Sequence, residues 1–327
     1  MTDSLWIPAG GLVSGLALLA WSAERFVEGA AAVARNLDVS PLLVGLLVVG
    51  FGTSAPEIVV SAIAALDGRP DIAIGNAVGS NIVNVGLVLG VAALIRPLFA
   101  HSGLLRRELP YTLGAAVLAL VLLSDGVLSR TDAMVLLVTF VAMGLWMLGQ
   151  DDHDRAGIED AMSAEFAAEM PPPMSTERAA TWLVAGLLLM VIASRVLVWG
   201  AEAIAHAFGI SDLIIGLTVV ALGTSLPELA TAISAARKGH SDIVIGNVLG
   251  SNMVNILAVI GVAGLIHPGA FEARVLTRDF PAMLVFTVAL FLMAFSFRGH
   301  GRIDRLEGAL LIAALIGYLG LLYADGG

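Results

Sequence analysis

Ten apolar runs separated by short polar interruptions account for almost the whole chain. They lie at roughly 5–33, 40–66, 71–95, 107–124, 131–149, 178–206, 211–236, 242–266, 276–297 and 304–323. An α-helix needs about 20 such residues to cross the hydrocarbon core of a bilayer, so the pattern predicts an all-α integral membrane protein with ten transmembrane helices. The single strongly polar connection, 150–177, carries Asp151, Asp152, Asp154, Glu159, Asp160, Glu165, Glu169 and Glu177, with a Pro171-Pro172-Pro173 break. Its composition predicts a solvated acidic loop. It divides the chain into two halves of five spans, 1–149 and 178–327.

An odd number of spans per half has a topological consequence: the second half must enter the membrane from the opposite side. The basic residues orient it by the positive-inside rule. With the N-terminus outside, the cytoplasmic connections hold Arg35, Arg96, Arg106, Arg107, Arg155, Arg178, Arg237, Lys238, Arg298, Arg302 and Arg305, and the outer ones hold only Arg69, Arg130, Arg274 and Arg278. Arg25 and Arg195 fall within or near spans one and six and stay outside this comparison. Both termini are therefore expected outside and the acidic loop inside.

Composition agrees with the pattern. Only 13% of residues are charged, against about 25% in a soluble domain, and mean hydropathy is +0.93. The formal charge of −10 comes largely from the 150–177 loop, and the chain has no basic stripe, which argues against nucleic acid as a partner. Cysteine is absent, excluding disulfides and thiolate metal sites. Met1 to Ser4 carry no basic residue and the first run ends without a small-residue cleavage pattern, so no cleavable signal is expected.

The polar residues inside the apolar runs are not scattered. Residues 50–90 and 221–261 agree at 20 of 41 positions with a constant offset of 171 and no gap. The agreements gather in GTSxPE, at Gly52–Glu57 and Gly223–Glu228, and in GNxxGSNxVN, at Gly75–Asn84 and Gly246–Asn255. Chance matching of two apolar stretches would favour Ala, Val and Leu instead. Gly29 with Gly200, Ser40 with Ser211 and Gly45 with Gly216 extend the correspondence at the same offset. Because the halves are inverted, the two copies meet as inverted repeats about an axis in the membrane plane, the arrangement that points to a transport site at the midplane.

Pro56 and Pro227 lack a backbone donor and must break or kink spans two and seven. Carbonyl oxygens freed at that depth persist only where something polar satisfies them. Glu57 and Glu228 follow at once, and an intramembrane carboxylate needs a partner. Thr53, Ser54, Thr224 and Ser225 add hydroxyls, giving an all-oxygen donor set of the kind hard cations such as Ca²⁺ take. On spans three and eight, Gly75 and Gly79, and Gly246 and Gly250, form small-xxx-small faces for close helix approach. Asn76, Ser80 and Asn84 stand four apart in one polar stripe, which Asn247, Ser251 and Asn255 repeat. Asn81 and Asn252 point about 100° off it and are expected to serve as helix–helix hydrogen bonds. Asp67, Asp71 and Asp242 at span ends read as caps or loop residues, and Glu28 and Glu202 as interfacial.

The pair GTSAPE/GNAVGSNIVN and GTSLPE/GNVLGSNMVN resembles the two alpha-repeats of the sodium/calcium exchanger family, within the cation/calcium antiporter superfamily. Both repeats are complete and correctly ordered, and ten spans around a hydrophilic loop look like the prokaryotic members over the full chain. The resemblance implies an inverted-repeat fold with a diamond of cation sites among four central spans, while spans one and six slide to alternate access. Carried over by motif position, the ligands would be Thr53, Ser54, Glu57, Ser80 and Asn84, with Thr224, Ser225, Glu228, Ser251 and Asn255. The carbonyls of Gly50 and Ala221 would join them. One position departs from part of the family: some members, including potassium-dependent ones, carry Asp where this chain has Asn255. Two formal negatives remain, enough to neutralise one Ca²⁺ or two Na⁺.

The resemblance thus implies a secondary antiporter exporting Ca²⁺ in exchange for Na⁺ across a prokaryotic cytoplasmic membrane. It implies no cofactor, and a monomer would suffice for transport. The alternative is H⁺/Ca²⁺ antiport, or exchange of another divalent ion, because a buried carboxyl can carry a proton. An intramembrane enzyme using Ser54 or Ser225 as nucleophile would need a base within reach, yet His101, His153, His206, His240, His267 and His300 all sit at span ends or in loops. A passive cation channel would require flux without counter-ion coupling.

Overall fold

A computed structural model describes residues 5–37, 52–100, 103–148, 173–294 and 301–326. Gly50, the rest of the second expected span before Gly52, residue 149 at the end of the fifth, residues 150–172 of the polar connection and the end of the ninth expected span at 295–297 lie outside the described residues. Helices α1 (Trp6–Asn36), α2 (Ala55–Leu66), α3 (Pro70–Ile95), α4 (Gly103–Leu122) and α5 (Arg130–Leu148) make the first half. Helices α6 (Thr176–Phe208), α7 (Asp212–Thr224), α8 (Leu226–Lys238), α9 (241–266), α10 (Val275–Ala294) and α11 (Arg305–Gly326) make the second. Helices α7 and α8 are one span bent by 43°. Among the described residues six helices, or seven with that bent pair, are long and apolar enough to cross a membrane. With α7 and α8 counted as one, the eleven helices make ten transmembrane helices in two inverted five-helix repeats.

Burial separates a core from a lipid face. Within their most apolar stretches, 78% of α3 and 89% of α9 is buried, against 22% of α1 and 28% of α11. The outer helices expose Val13, Leu188, Val285, Leu292, Leu310 and Ile316, a density of bare aliphatic side chains that suits hydrocarbon. The two central helices instead bury Asn76, Ser80, Asn84, Asn247, Ser251 and Asn255. Polar residues therefore line the inside of the bundle and apolar ones its outside, the reverse of a soluble domain.

The inverted repeat is legible contact by contact. Helices α1 and α6 run antiparallel and touch through glycines. A Cβ on Gly29 would stand 2.5 Å from the Leu183 amide nitrogen and 2.8 Å from the Ala179 carbonyl. A Cβ on Gly200, its partner at the offset of 171, would stand 2.8 Å from Leu12 N and 2.7 Å from the Pro8 carbonyl. Leu12 and Pro8 are themselves 171 positions before Leu183 and Ala179. Any larger residue would push these backbones apart. Gly75 and Gly216 bring α3 against α7 in the same way, a Cβ on Gly216 meeting Gly75 Cα at 3.0 Å. By contrast, a Cβ on Gly246 would meet nothing within 4 Å among the described residues.

Two short ribbons, unforeseen in the apolar pattern, join the halves at opposite ends of the bundle. Strand β1 (Leu98–Ala100) pairs antiparallel with β4 (Gly301–Ile303), and β2 (Val127–Leu128) pairs with β3 (Gly269–Ala270). They lie in span connections, where backbone groups have no helix to satisfy them and pair with each other. The ribbons place the α3–α4 and α10–α11 connections on one side. The α4–α5 and α9–α10 connections lie on the other, as inverted topology demands.

Candidate functional site

At the centre of the bundle α2 and α8 start alike. Their N-cap residues, Ser54 and Ser225, have backbone angles φ −87°, ψ 3° and φ −81°, ψ 6°. Pro56 and Pro227 occupy the first turn, where a missing N–H is harmless, and Glu57 and Glu228 are the third residue of each helix. The prolines therefore stand at a helix start, where they cost no backbone bond. Each start aims a helix N-terminus, and with it a carboxylate, into the protein.

The N-cap serines do not cap their own helices. Ser54 Oγ donates to Glu228 Oε1 at 3.4 Å, and Ser225 Oγ donates to Glu57 Oε1 at 3.5 Å. Ser251 Oγ also donates to Glu228 Oε1, at 3.3 Å. Thr224 Oγ1 donates to Asn76 Oδ1 at 3.1 Å and lies 3.4 Å from Ser80 Oγ, while Thr53 Oγ1 donates to Asn247 Oδ1 at 3.2 Å. Asn84 Nδ2 donates to Asn252 Oδ1 at 3.1 Å. Nearly every bond crosses from one half to the other, so neither repeat forms the site alone.

What this net leaves over defines its chemistry. Glu57 Oε2, Glu228 Oε2, Asn84 Oδ1 and Asn255 Oδ1 are buried acceptors without a donor, and Asn255 Nδ2 likewise has no partner. Glu57, Glu228, Asn84 and Asn255 are each 0% exposed. A buried polar atom without a partner is a substantial penalty, and a buried carboxylate more so. Four bare oxygens on one buried net, two of them carboxylate, form a donor set suited to a cation.

The sequence-derived candidates gather here, apart from Gly50, which is outside the described residues. The Ala221 carbonyl accepts the Ser225 amide at 3.1 Å, which occupies one of its two lone pairs, and a π-helical stretch precedes it at Gly216–Val220. Matching π-helical stretches begin at Asn84 and at Asn255, a feature common near functional sites. Asn81 and Asn252 make interhelical bonds, Asn81 Nδ2 to Met283 Sδ at 3.3 Å and Asn252 to Asn84. Asp67 pairs with Arg195, Glu202 with Arg69, and Glu28 with Arg25. Asp71 accepts the Glu272 amide at 3.0 Å. Asn76 and Asn247 stood on the polar stripe without being singled out; the offset of 171 that joins them was the signal available.

One cavity reaches the site among the described residues. A cavity of about 730 Å³ between α1 and α8 reaches Thr53 and is flanked by Glu24, Glu28, Pro227 and Ser234. It lies along the C-terminal half of α1. At the opposite end, the turn between α2 and α3 is fastened to α6 and α7. Arg69 pairs with Glu202 and, at 3.0 Å, with Asp212, and Arg195 pairs with Asp67 at 3.0 Å.

The profile of the sodium/calcium exchanger protein family matches residues 7–149 and 178–324. The chain belongs to that family. CaxA of Alkalimonas amylolytica is 46% identical over 95% of this chain and 97% of its own length. The sodium/calcium exchanger MaX1 of Methanosarcina acetivorans is 32% identical, again over 95% of this chain and 97% of its own. Among solved structures, the sodium-calcium exchanger NCX_Mj superposes with a TM-score of 0.65 at 31% identity, over 97% of this chain and 99% of that one. The family profile stops at residue 149 and resumes at 178.

Proposed function

We propose that this chain is a secondary active antiporter that moves Ca²⁺ against Na⁺ by alternating access. The observation that carries the reading is the bare pair Glu57 Oε2 and Glu228 Oε2, held by serines of the opposite repeat in a fully buried net. Membership of the sodium/calcium exchanger family supports it, as does the likeness to relatives named for that exchange. Two carboxylates neutralise one Ca²⁺ or two Na⁺. Either load satisfies them, and neither glutamate tolerates being left bare, so the empty carrier is reluctant to reorient. Binding in competition is what couples the two fluxes. Thr53, Ser54, Ser80, Asn84, Thr224, Ser225, Ser251 and Asn255 supply the neutral oxygens around the two glutamates. Residues 1–149 and 178–327 act as the two repeats, joined by the acidic loop 150–177. With the basic residues inside, both termini are external and the cavity beside α1 faces the cytoplasm.

The test is radiolabelled Ca²⁺ uptake into proteoliposomes loaded with Na⁺ or with choline, a protonophore present in both. Uptake is expected only with internal Na⁺. The same bare oxygens support a second reading, H⁺/Ca²⁺ antiport, since either can bind a proton. Uptake that ignores Na⁺ and follows an imposed pH gradient once the protonophore is omitted would replace the first reading with the second.

A further inference from the structure

The two threonines of the site are each held by an asparagine of the other repeat, through bonds of 3.1 and 3.2 Å that correspond at the offset of 171. A hydroxyl has one hydrogen and two lone pairs. Donating that hydrogen to an amide oxygen turns the lone pairs elsewhere, toward whatever cation the site holds. We infer that Asn76 and Asn247 are positioning residues that set the polarity of Thr224 and Thr53, an inference resting on the cation-binding reading above. The two are not equal. Asn76 Nδ2 is pinned between Ser61 Oγ at 2.9 Å and the Glu57 carbonyl at 3.3 Å, so its Oδ1 must face Thr224. In the second repeat Ala232 stands where Ser61 stands in the first, and Asn247 Nδ2 has no partner. The Asn76–Thr224 arm is rigid and the Asn247–Thr53 arm, which borders the cavity, is loose.

A double-mutant cycle read by Ca²⁺ binding to the purified full chain, and by KM against kcat for Ca²⁺ flux, tests this. Asn76→Ala is expected to raise Kd and KM with little change in kcat. In a Thr224→Val background the same substitution should add almost nothing, a coupling factor of about five or more. Against Thr53→Val it should be additive. Ala232→Ser supplies the missing hydroxyl and is expected to tighten Ca²⁺ binding about two- to fivefold. Additive effects of Asn76→Ala and Thr224→Val, in a wild type that binds Ca²⁺, would overturn the inference alone. A wild type that does not bind Ca²⁺ would overturn both it and the proposed function.

An independent observation concerns the bundle's ends. Asp67, at the end of α2, and Arg195, on α6, form an ion pair at 3.0 Å at the end away from the cavity. Their counterparts 171 positions away are Lys238, at the end of α8, and Glu24, on α1. Both residues differ, yet complementarity is kept with the charges exchanged. The turns that follow match too, with left-handed Gly68 (φ 76°) and Gly239 (φ 89°). In this structure Glu24 lines the cavity, its carboxylate 3.7 Å from Arg25 Nη2. We further infer that Glu24 and Lys238 are the latch of the opposite state: they close the cavity end when Asp67 and Arg195 part. Exposed ion pairs are individually weak, as a latch that must open in every cycle requires.

Because the chain has no cysteine, the double variants Glu24→Cys/Lys238→Cys and Asp67→Cys/Arg195→Cys each present one thiol pair to a short bis-thiol crosslinker. Each pair is expected to crosslink during turnover, and either crosslink should stop flux until it is cleaved. Ion conditions that favour one should disfavour the other. A Glu24→Cys/Lys238→Cys variant that transports at the wild-type rate yet never crosslinks would overturn the latch and leave the antiport reading standing.

Discussion

Among the described residues two places bury carboxylates completely, and the chain treats them differently. At the head of α10, Asp279 accepts from Arg278 Nε at 2.7 Å and Arg278 Nη2 at 3.2 Å, and from the Tyr318 hydroxyl at 2.8 Å. Both its oxygens are met from within, one by a cation the protein itself supplies. At the centre, Glu57 and Glu228 receive neutral hydroxyls, serines among them, while Oε2 of each is bare. Burial alone therefore does not distinguish a site from a structural tie. The difference is whether the protein completes the charge or leaves that to a solute.

The largest effects should fall on the incomplete pair. Glu57→Gln or Glu228→Gln removes a charge that only the cation was meeting. Each is expected to lower Ca²⁺ flux in proteoliposomes by a factor of about 100 or more, the loss of one buried charge pairing. Neither should lower the unfolding temperature of the ion-free protein in detergent, since an unmet buried charge disappears. Wild-type flux from either variant would dissolve the contrast with Asp279.

Next comes the complete pair, with the opposite signature. Asp279→Ala leaves Arg278 beside a hole and is expected to destabilise the fold by about 3–5 kcal/mol, the usual penalty for breaking one side of a buried ion pair. The protein that does fold should bind Ca²⁺ with unchanged affinity. Thermal unfolding and calorimetric titration on the same sample separate these outcomes.

The contrast also marks how far the sequence could be read. Glu57 and Glu228 were legible because a charge inside an apolar run has few explanations, and because the run occurs twice in opposite orientation. Pro56 and Pro227 announced the break. Asp279 was not legible as a buried acid: it sits near the end of a span beside Arg278, where a solvent-facing pair reads the same, and Tyr318 is 39 residues away. The roles of Asn76 and Asn247 were hidden for a related reason. An amide can face either way, and which way depends on a neighbour such as Ser61 or Ala232 that looks incidental in a run of small residues. The π-helical stretches at Asn84 and Asn255 left no mark, since a one-residue change of helical register has no composition of its own.

Binding linkage sharpens the contrast at lower magnitude. Ca²⁺ at about 100 times its Kd should stabilise the wild type by roughly 2.7 kcal/mol, because it binds the folded state alone. That increment is expected to vanish in Glu228→Gln and to persist in folded Asp279→Ala, read as the Ca²⁺-dependent shift in unfolding temperature. Persistence in both would place the cation somewhere other than on the glutamates.

The smallest effect belongs to the tyrosine that finishes the Asp279 tie. Tyr318→Phe removes one donor to a charged acceptor and leaves the two Arg278 bonds in place, so the aspartate keeps its counter-charge. Such a hydrogen bond is worth about 1.5–3 kcal/mol, and the remaining pair should hold the loss near the lower figure. Ca²⁺ affinity should not move, because the hydrogen bonds of Asp279 and Tyr318 run to Arg278 and to each other and not to the central net. Asp279 would then have been met twice over, by charge and by hydroxyl, while Glu57 and Glu228 are met by neutral groups only. If Tyr318→Phe instead weakened Ca²⁺ binding, the edge and the centre would be coupled through the packing of α11 on α3, where a Cβ on Gly90 would stand 2.8 Å from Ile312. The bare glutamates would then owe part of their geometry to a carboxylate that is fully paired.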